Sequence, residues 1–138
     1  MKMQAEEFGD LADELLTHKA LLGCNNALRR TCIGRYYYQT FHIVQNWLIT
    51  NHNSVLENMS GTTHARLRSC CEQLSEKLNN QDFEKLAMKL KALHDLRTRS
   101  DYQLDQELRE GDLTTVTIEK DRAIALVNKL ISQYAQAS

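Results

Sequence analysis

No proline occurs anywhere in the 138 residues, and that absence constrains the fold more than any residue present. A chain of this length would carry about seven at ordinary usage. Proline removes a backbone donor and clashes with the preceding turn, so a chain without it can stay helical over long stretches. The apolar residues recur at three- and four-residue intervals and rarely alternate as they would in strands. The fold class that follows is all-α. An apolar fraction of 42% and a charged fraction of 25% are those of a globular domain. The length suffices for one core but not two. With no linker, repeat or low-complexity tract to divide it, residues 1–138 read as a single domain.

Periodicity and punctuation place five helices. A first is expected over about residues 3–22, with Phe8, Leu11, Ala12, Leu15, Leu16 and Leu22 as its apolar stripe and Gly23 placed to end it. Asn25 or Asn26 can cap a long second helix reaching about Asn51. Its stripe runs through Ile33, Tyr37, Thr40 or Phe41, Val44, Trp47 and Leu48. Most of the large rings lie on this helix, which makes it the central one. Residues 51–61 read as a loop. Thr62 or Thr63 caps a third helix to about Leu78, with Leu67, Cys70 or Cys71, Leu74 and Leu78 facing inward. Asn79 to Asp82 form a turn and cap, and a fourth helix carries Phe83, Leu86, Leu90, Leu93 and Leu96. Residues 103–115 are expected to be a longer connection. Thr115 or Thr117 then opens a last helix through about Tyr134, with Ala123, Val127, Leu130, Ile131 and Tyr134 on its apolar face. Helices joined mostly by short connections describe an antiparallel bundle of four to five helices.

A net charge of −1 excludes a global basic field, so a nucleic-acid site would have to be a local patch. Arg29-Arg30 and Arg66-Leu67-Arg68 are candidates to supplement one. No apolar run reaches the roughly 20 residues that span a membrane, and the acidic start lacks a secretory pattern; the expected location is the cytoplasm. The cysteines, at 24, 32, 70 and 71, include no C-x-x-C pair. Adjacent Cys70 and Cys71 cannot readily chelate one metal, so all four read as core residues in a reducing compartment. No metal and no cofactor is expected.

The chemistry concentrates in three motifs: Arg35-Tyr36-Tyr37-Tyr38-Gln39-Thr40-Phe41-His42, then Thr63-His64-Ala65, then Leu93-His94-Asp95-Leu96-Arg97-Thr98-Arg99-Ser100-Asp101-Tyr102. In this order they resemble the signature helices of the HEPN superfamily, small helical domains of prokaryotic toxins and RNA-cleaving defence systems. The resemblance covers nearly the whole chain. It implies a HEPN-like bundle that forms a homodimer across a face including these motifs. It also implies RNA or a nucleotide as ligand, and a toxin–antitoxin or antiviral setting, with a nucleotidyltransferase-type antitoxin or another operon partner. Active members of the family pair an arginine with a histidine a few residues on, one motif from each subunit, and cleave RNA without a metal. Here Arg97 is followed at that spacing by Tyr102 and Gln103. Tyrosine ionises near pH 10 and makes a poor general base unless strongly shifted.

Two readings of these residues stay open. In the first, the chain is a metal-independent endoribonuclease with a degenerate motif. Arg97 clamps phosphate, Asp101 orients it, and Tyr102 or His42 replaces the missing histidine. Arg35, Tyr38, His42 and Arg99 then complete an anion or RNA surface. In the second, the chain is a non-catalytic dimerisation module that regulates a partner protein. The motifs are then a structural knot in which Tyr37 packs inward and bonds Asp101. Arg97 and Asp101 stand four apart on one helix face in either case, with His94 beside them. His64 reads as a surface or capping residue, and His18 and His52 as solvated ones.

Overall fold

The computed structural model describes residues 3–19 and 25–134. Among them, five long helices and one short helix form a bundle without strands. They are α1 (Glu6–Thr17), α2 (Asn25–Asn51), α3 (Asn53–Leu56), α4 (Thr63–Leu78), α5 (Gln81–Tyr102) and α6 (Glu110–Tyr134). The all-α expectation holds. Leu22 and Gly23, expected to finish the first helix, lie outside the described residues, as does Cys24.

The central position of α2 follows from its side chains. Ile33, Val44 and Leu48 are fully buried, and Tyr36, Tyr37, Phe41 and Trp47 nearly so. Such burial on several sides needs neighbours all round, and α1, α5 and α6 supply them. Paired residues at each end give the directions. Arg30 meets the end of α5 while Trp47 stacks on Phe83 at its start, ring centroids 5.8 Å apart, so these helices run antiparallel. α6 runs parallel to α2, with Glu110 beside Arg29 at one end and Tyr134 beside His52 at the other. Each large apolar side chain buried this way contributes about 1.5–3 kcal/mol.

α1 docks through small residues. Ala5, Gly9 and Ala12 are buried, whereas Leu11, expected in the stripe, is 48% exposed. A Cβ at Gly9 would stand only 2.3 Å from Gln39 Oε1, so close approach selects the small side of this helix over the larger one.

The caps of α4 and α5 are those the residues suggest. The Thr62 hydroxyl accepts from the Ala65 amide at 3.2 Å, Asn79 takes the left-handed conformation (φ 48°), and Asn80 accepts from the Asp82 amide. Three expectations need correction. Residues 51–61 contain the short helix α3, whose Val55 and Leu56 are buried. α6 begins at Glu110, several residues before Thr115. Asp112 caps it by accepting from the Arg109 amide at 2.9 Å, while Thr115 and Thr117 bond to carbonyls one turn back, inside the helix. Ile131 is also 41% exposed instead of buried.

The connection from 103 to 109 is short and anchored. Leu108 is buried, and Arg29 Nη1 donates to its carbonyl. Arg30, only 8% exposed, reaches across from α2 and donates through Nη1 to the carbonyls of Arg99 and Ser100, each at 3.1 Å, and of Gln103 at 3.4 Å. Its Nη2 donates to the Gln106 carbonyl. A helix C-terminus leaves carbonyls without amide partners and carries partial negative charge; Arg30 satisfies both demands. Arg30→Ala should therefore cost about 2–4 kcal/mol of unfolding free energy, because it strands buried carbonyls. Equilibrium denaturation would measure this, and Arg30→Lys, lacking the fork, should recover only part of it.

Candidate functional site around Arg97

Gly34 decides how closely α5 approaches α2. A Cβ there would lie 3.3 Å from Asp101 Oδ1, so the missing side chain lets the acid settle against the helix backbone. Asp101 then faces Arg97 one turn back, with Oδ2 3.0 Å from Arg97 Nε. The N–H direction is poorly aligned, and Nε is buried without a well-formed hydrogen bond, so the contact is an ion pair.

Arg97 is held chiefly by aromatic rings. Its Nη2 donates to the Tyr38 hydroxyl and, at 3.3 Å, to that of Tyr102. Its guanidinium carbon lies 5.1 Å from the centroid of each ring, within the range of cation–π attraction. Beyond Tyr38 the column of rings continues through His42 to Phe8, which stack at 5.4 Å, and Arg35 approaches the Phe8 ring at 6.0 Å. Side-chain exposure is 11% for Arg97, and Tyr102 is 68% exposed. Asp101, Gly34, Tyr38 and Arg35, with Thr31 and Leu104, line an open groove of about 270 Å³. A groove of similar size, about 280 Å³, lies at Leu16, Arg29 and Glu110, but Arg29 is engaged there with Glu110 at 3.6 Å.

The structure thus brings together Arg97, Asp101, Tyr102, Tyr38, His42 and Arg35. Arg99 goes elsewhere. Two positions along a helix point in nearly opposite directions, and Arg99 bonds Gln106 Oε1 at 3.2 Å and lies 3.8 Å from Asp112. Of the supplementary basic patch only Arg68 is left beside the site, acting on His64 and His94. Arg29 and Arg30 are spent on the carbonyls described above, and Arg66 donates to those of Met59 and Leu56.

Tyr37 does pack inward, but its partner is His64 Nδ1, not Asp101. His64 is accordingly neither a cap nor a surface residue. Its ring lies 4.8 Å from that of His94 and 4.7 Å from that of Phe41, while Tyr37 and His94 meet at 5.7 Å. Burial holds His64 below its ordinary pKa of 6.5, helped by His94, Arg97, Arg68 and His42. His94 is lowered by burial and Arg68, with Asp95 opposing. Burial also raises the Tyr37 hydroxyl, so Tyr37 stays protonated. Nothing in the sequence links Tyr37 to a histidine 27 residues away; the only hint is that His64 and Arg68 share a helix face.

His52 is a further correction. It is packed against Trp47, Phe83 and Tyr134, with Nε2 buried and unpaired, and burial lowers its pKa. His18 is exposed and 3.0 Å from Glu14. Cys32, Cys70 and Cys71 are buried free thiols, and burial pushes Cys32 and Cys70 up to about 11. Among the described residues no three His, Cys, Asp or Glu side chains are grouped to hold a metal ion, and no helix is long and apolar enough to cross a membrane.

The fold and this face define a class: an all-α bundle carrying an arginine clamped between tyrosines beside a histidine cluster. The chain is 31% identical over 136 residues to uncharacterized protein MJ0992 of Methanocaldococcus jannaschii, a match covering 92% of this chain and 73% of that protein. It belongs to the same family as this archaeal protein. No family model matches the chain, and no solved structure does.

The lowered histidines set a pH dependence. A histidine whose folded pKa lies below 6.5 takes up its proton more readily in the unfolded chain. Its contribution is fully present above pH 6.5 and is lost as pH falls through the folded value. Thermal melts from about pH 8 to about pH 5 should show Tm falling once below the ordinary histidine pKa. A His64→Gln/His94→Gln double variant should flatten that fall, leaving only the share of His52.

Proposed function

We propose that the protein is a HEPN-like, homodimeric domain that binds RNA or a nucleotide through the face centred on Arg97. The observation carrying this reading is the Arg97 clamp. Tyr38 and Tyr102 flank the guanidinium, and Asp101 sets its orientation. A planar cation framed by rings suits phosphate and base together. Tyr102, standing 68% exposed at the end of α5, offers a ring face on which a base can stack. Arg35, half-buried beside the groove, adds a second positive charge. In the cytoplasmic toxin–antitoxin or defence setting that the HEPN likeness implies, the partner is a nucleotidyltransferase-type antitoxin or another product of the same operon.

Cleavage of RNA would require a proton carrier beside Arg97. Tyr102 has its hydroxyl on Arg97, while His42 stacks on Tyr38. Of the two, His42 is the better suited, because an imidazole carries one nitrogen that accepts a proton and one that donates it. The second reading, a non-catalytic dimerisation module, is favoured by one observation. The Arg97 side chain is only 11% exposed and already has Tyr38, Tyr102 and Asp101 as partners, as a structural knot would.

Arg97→Ala separates the two. If Arg97 binds phosphate, the variant should lose about tenfold or more in RNA affinity, the equivalent of one charge-assisted hydrogen bond of about 1.5–3 kcal/mol, with a small change in Tm. Expression that slows bacterial growth, relieved by this substitution, would support the ribonuclease. Intact RNA in the presence of wild-type protein, together with a large drop in Tm for the variant, would leave the dimerisation module standing. Size-exclusion chromatography at micromolar concentration should show a dimer; a strictly monomeric elution would remove any site shared between subunits.

A further inference from the structure

The Tyr37–His64–His94 cluster meets α5 one turn before Arg97, whereas the groove's Asp101 lies one turn after it, and the imidazole chemistry is not used by the clamp. Three helices contribute to it. α2 brings Tyr37 and His42, α4 brings His64 and Arg68, and α5 brings His94 and Arg97. What these groups share is sign. His64 faces His94, Arg97, Arg68 and His42, and His94 faces Arg68, Arg97 and Lys91. Asp95 is the acid that acts on His94, and Asp101 is paired with Arg97. Among the described residues Arg68 has neither a carboxylate partner nor a backbone carbonyl of the kind that engages Arg29, Arg30 and Arg66. The first turn of α4, which holds His64, contains no acidic residue, so its partial positive charge adds to the field.

Burial holds His64 and His94 neutral, and a proton taken up by either meets the other ring, Arg68 and Arg97 with little acid to balance it. An anionic phosphate relieves the repulsion, accepting from imidazole N–H and guanidinium groups at once. We infer that His64, His94 and Arg68, with Arg97 shared from the clamp, form a phosphate-binding site that fills as its histidines take up protons. Since Arg97 is common to both, this site deepens the proposed RNA or nucleotide reading and rests on it for its biological ligand. The phosphate could belong to an RNA backbone diester, with one charge and two free oxygens, or to a free monoester, with up to two charges and three; both offer anionic oxygens to the cluster.

Protonation and binding are reciprocal. Phosphate should bind more tightly on the acid side of the histidine titration, and bound phosphate should raise the pKa of His64 and His94 together. The test is an NMR titration of the wild-type protein's imidazole signals with inorganic phosphate, on either side of the histidine pKa. His64 and His94 should shift saturably, and more tightly at the lower pH, while exposed His18 serves as the control for non-specific ion effects. Arg68→Ala should abolish saturation while the melting curve stays cooperative. If that variant does not fold, the wild-type titration decides alone. The inference is overturned if His64 and His94 move only in step with His18, or if their pKa values are unchanged by phosphate. An oligoribonucleotide without terminal phosphates then identifies the source. If it competes with inorganic phosphate, the site takes backbone diester. If phosphate binds and the oligonucleotide binds nowhere, the site stands with a free monoester as its ligand and the RNA reading falls. RNA binding that leaves both histidines unmoved excludes backbone diester from the site and leaves the Arg97 face intact.

Discussion

Asp101 rests directly against α2 where position 34 is glycine, and the polar face is built around that close approach. With the acid 3.3 Å from where a Cβ would stand, the last turns of α5 lie close enough for three contacts between the helices. Arg30 reaches the carbonyls at the α5 terminus, Arg97 reaches the Tyr38 hydroxyl, and the Tyr37 ring meets His94. Each is long-range in sequence and short in space. An alanine at position 34 would press Asp101 Oδ1 by a few tenths of an ångström and so bear on the ion pair that orients Arg97.

The same packing separates two kinds of arginine. Arg29, Arg30 and Arg66 are structural, because their guanidinium groups fill the acceptor demand of helix ends and connections that would otherwise be buried unsatisfied. Arg35, Arg68 and Arg97 face rings and histidines, where backbone acceptors are not available to consume their donors. Arg97 with its flanking rings, and the histidines beside it, distinguish this face from the rest of the bundle.

Much of the architecture was legible from residue order. The α2 stripe from Ile33 to Leu48, the Thr62 and Asn80 caps, and the cores of α4 and α5 were all readable, since periodicity and capping are local properties. The errors fall where a distant neighbour overrides local preference. Leu11 lost the α1 interface to Ala5, Gly9 and Ala12 because helices approach most closely through small residues. α6 started at Glu110 because Asp112 supplied a cap earlier than the threonines could. Residues 53–56 became helical because Val55 and Leu56 had apolar surface to cover.

For the site the division is sharper. Sequence by itself determined the all-α class, the central aromatic helix, and the grouping of Arg97 with Asp101 and of Arg35 with Tyr38 and His42, because i, i+3 and i+4 spacing follows from helix geometry alone. Only the tertiary structure decided that Tyr37 bonds His64, that His94 joins them, and that Arg99 is turned away to Asp112. Those outcomes depend on how three helices rotate and approach one another. That is set by the summed fit of many side chains, and no local spacing encodes it.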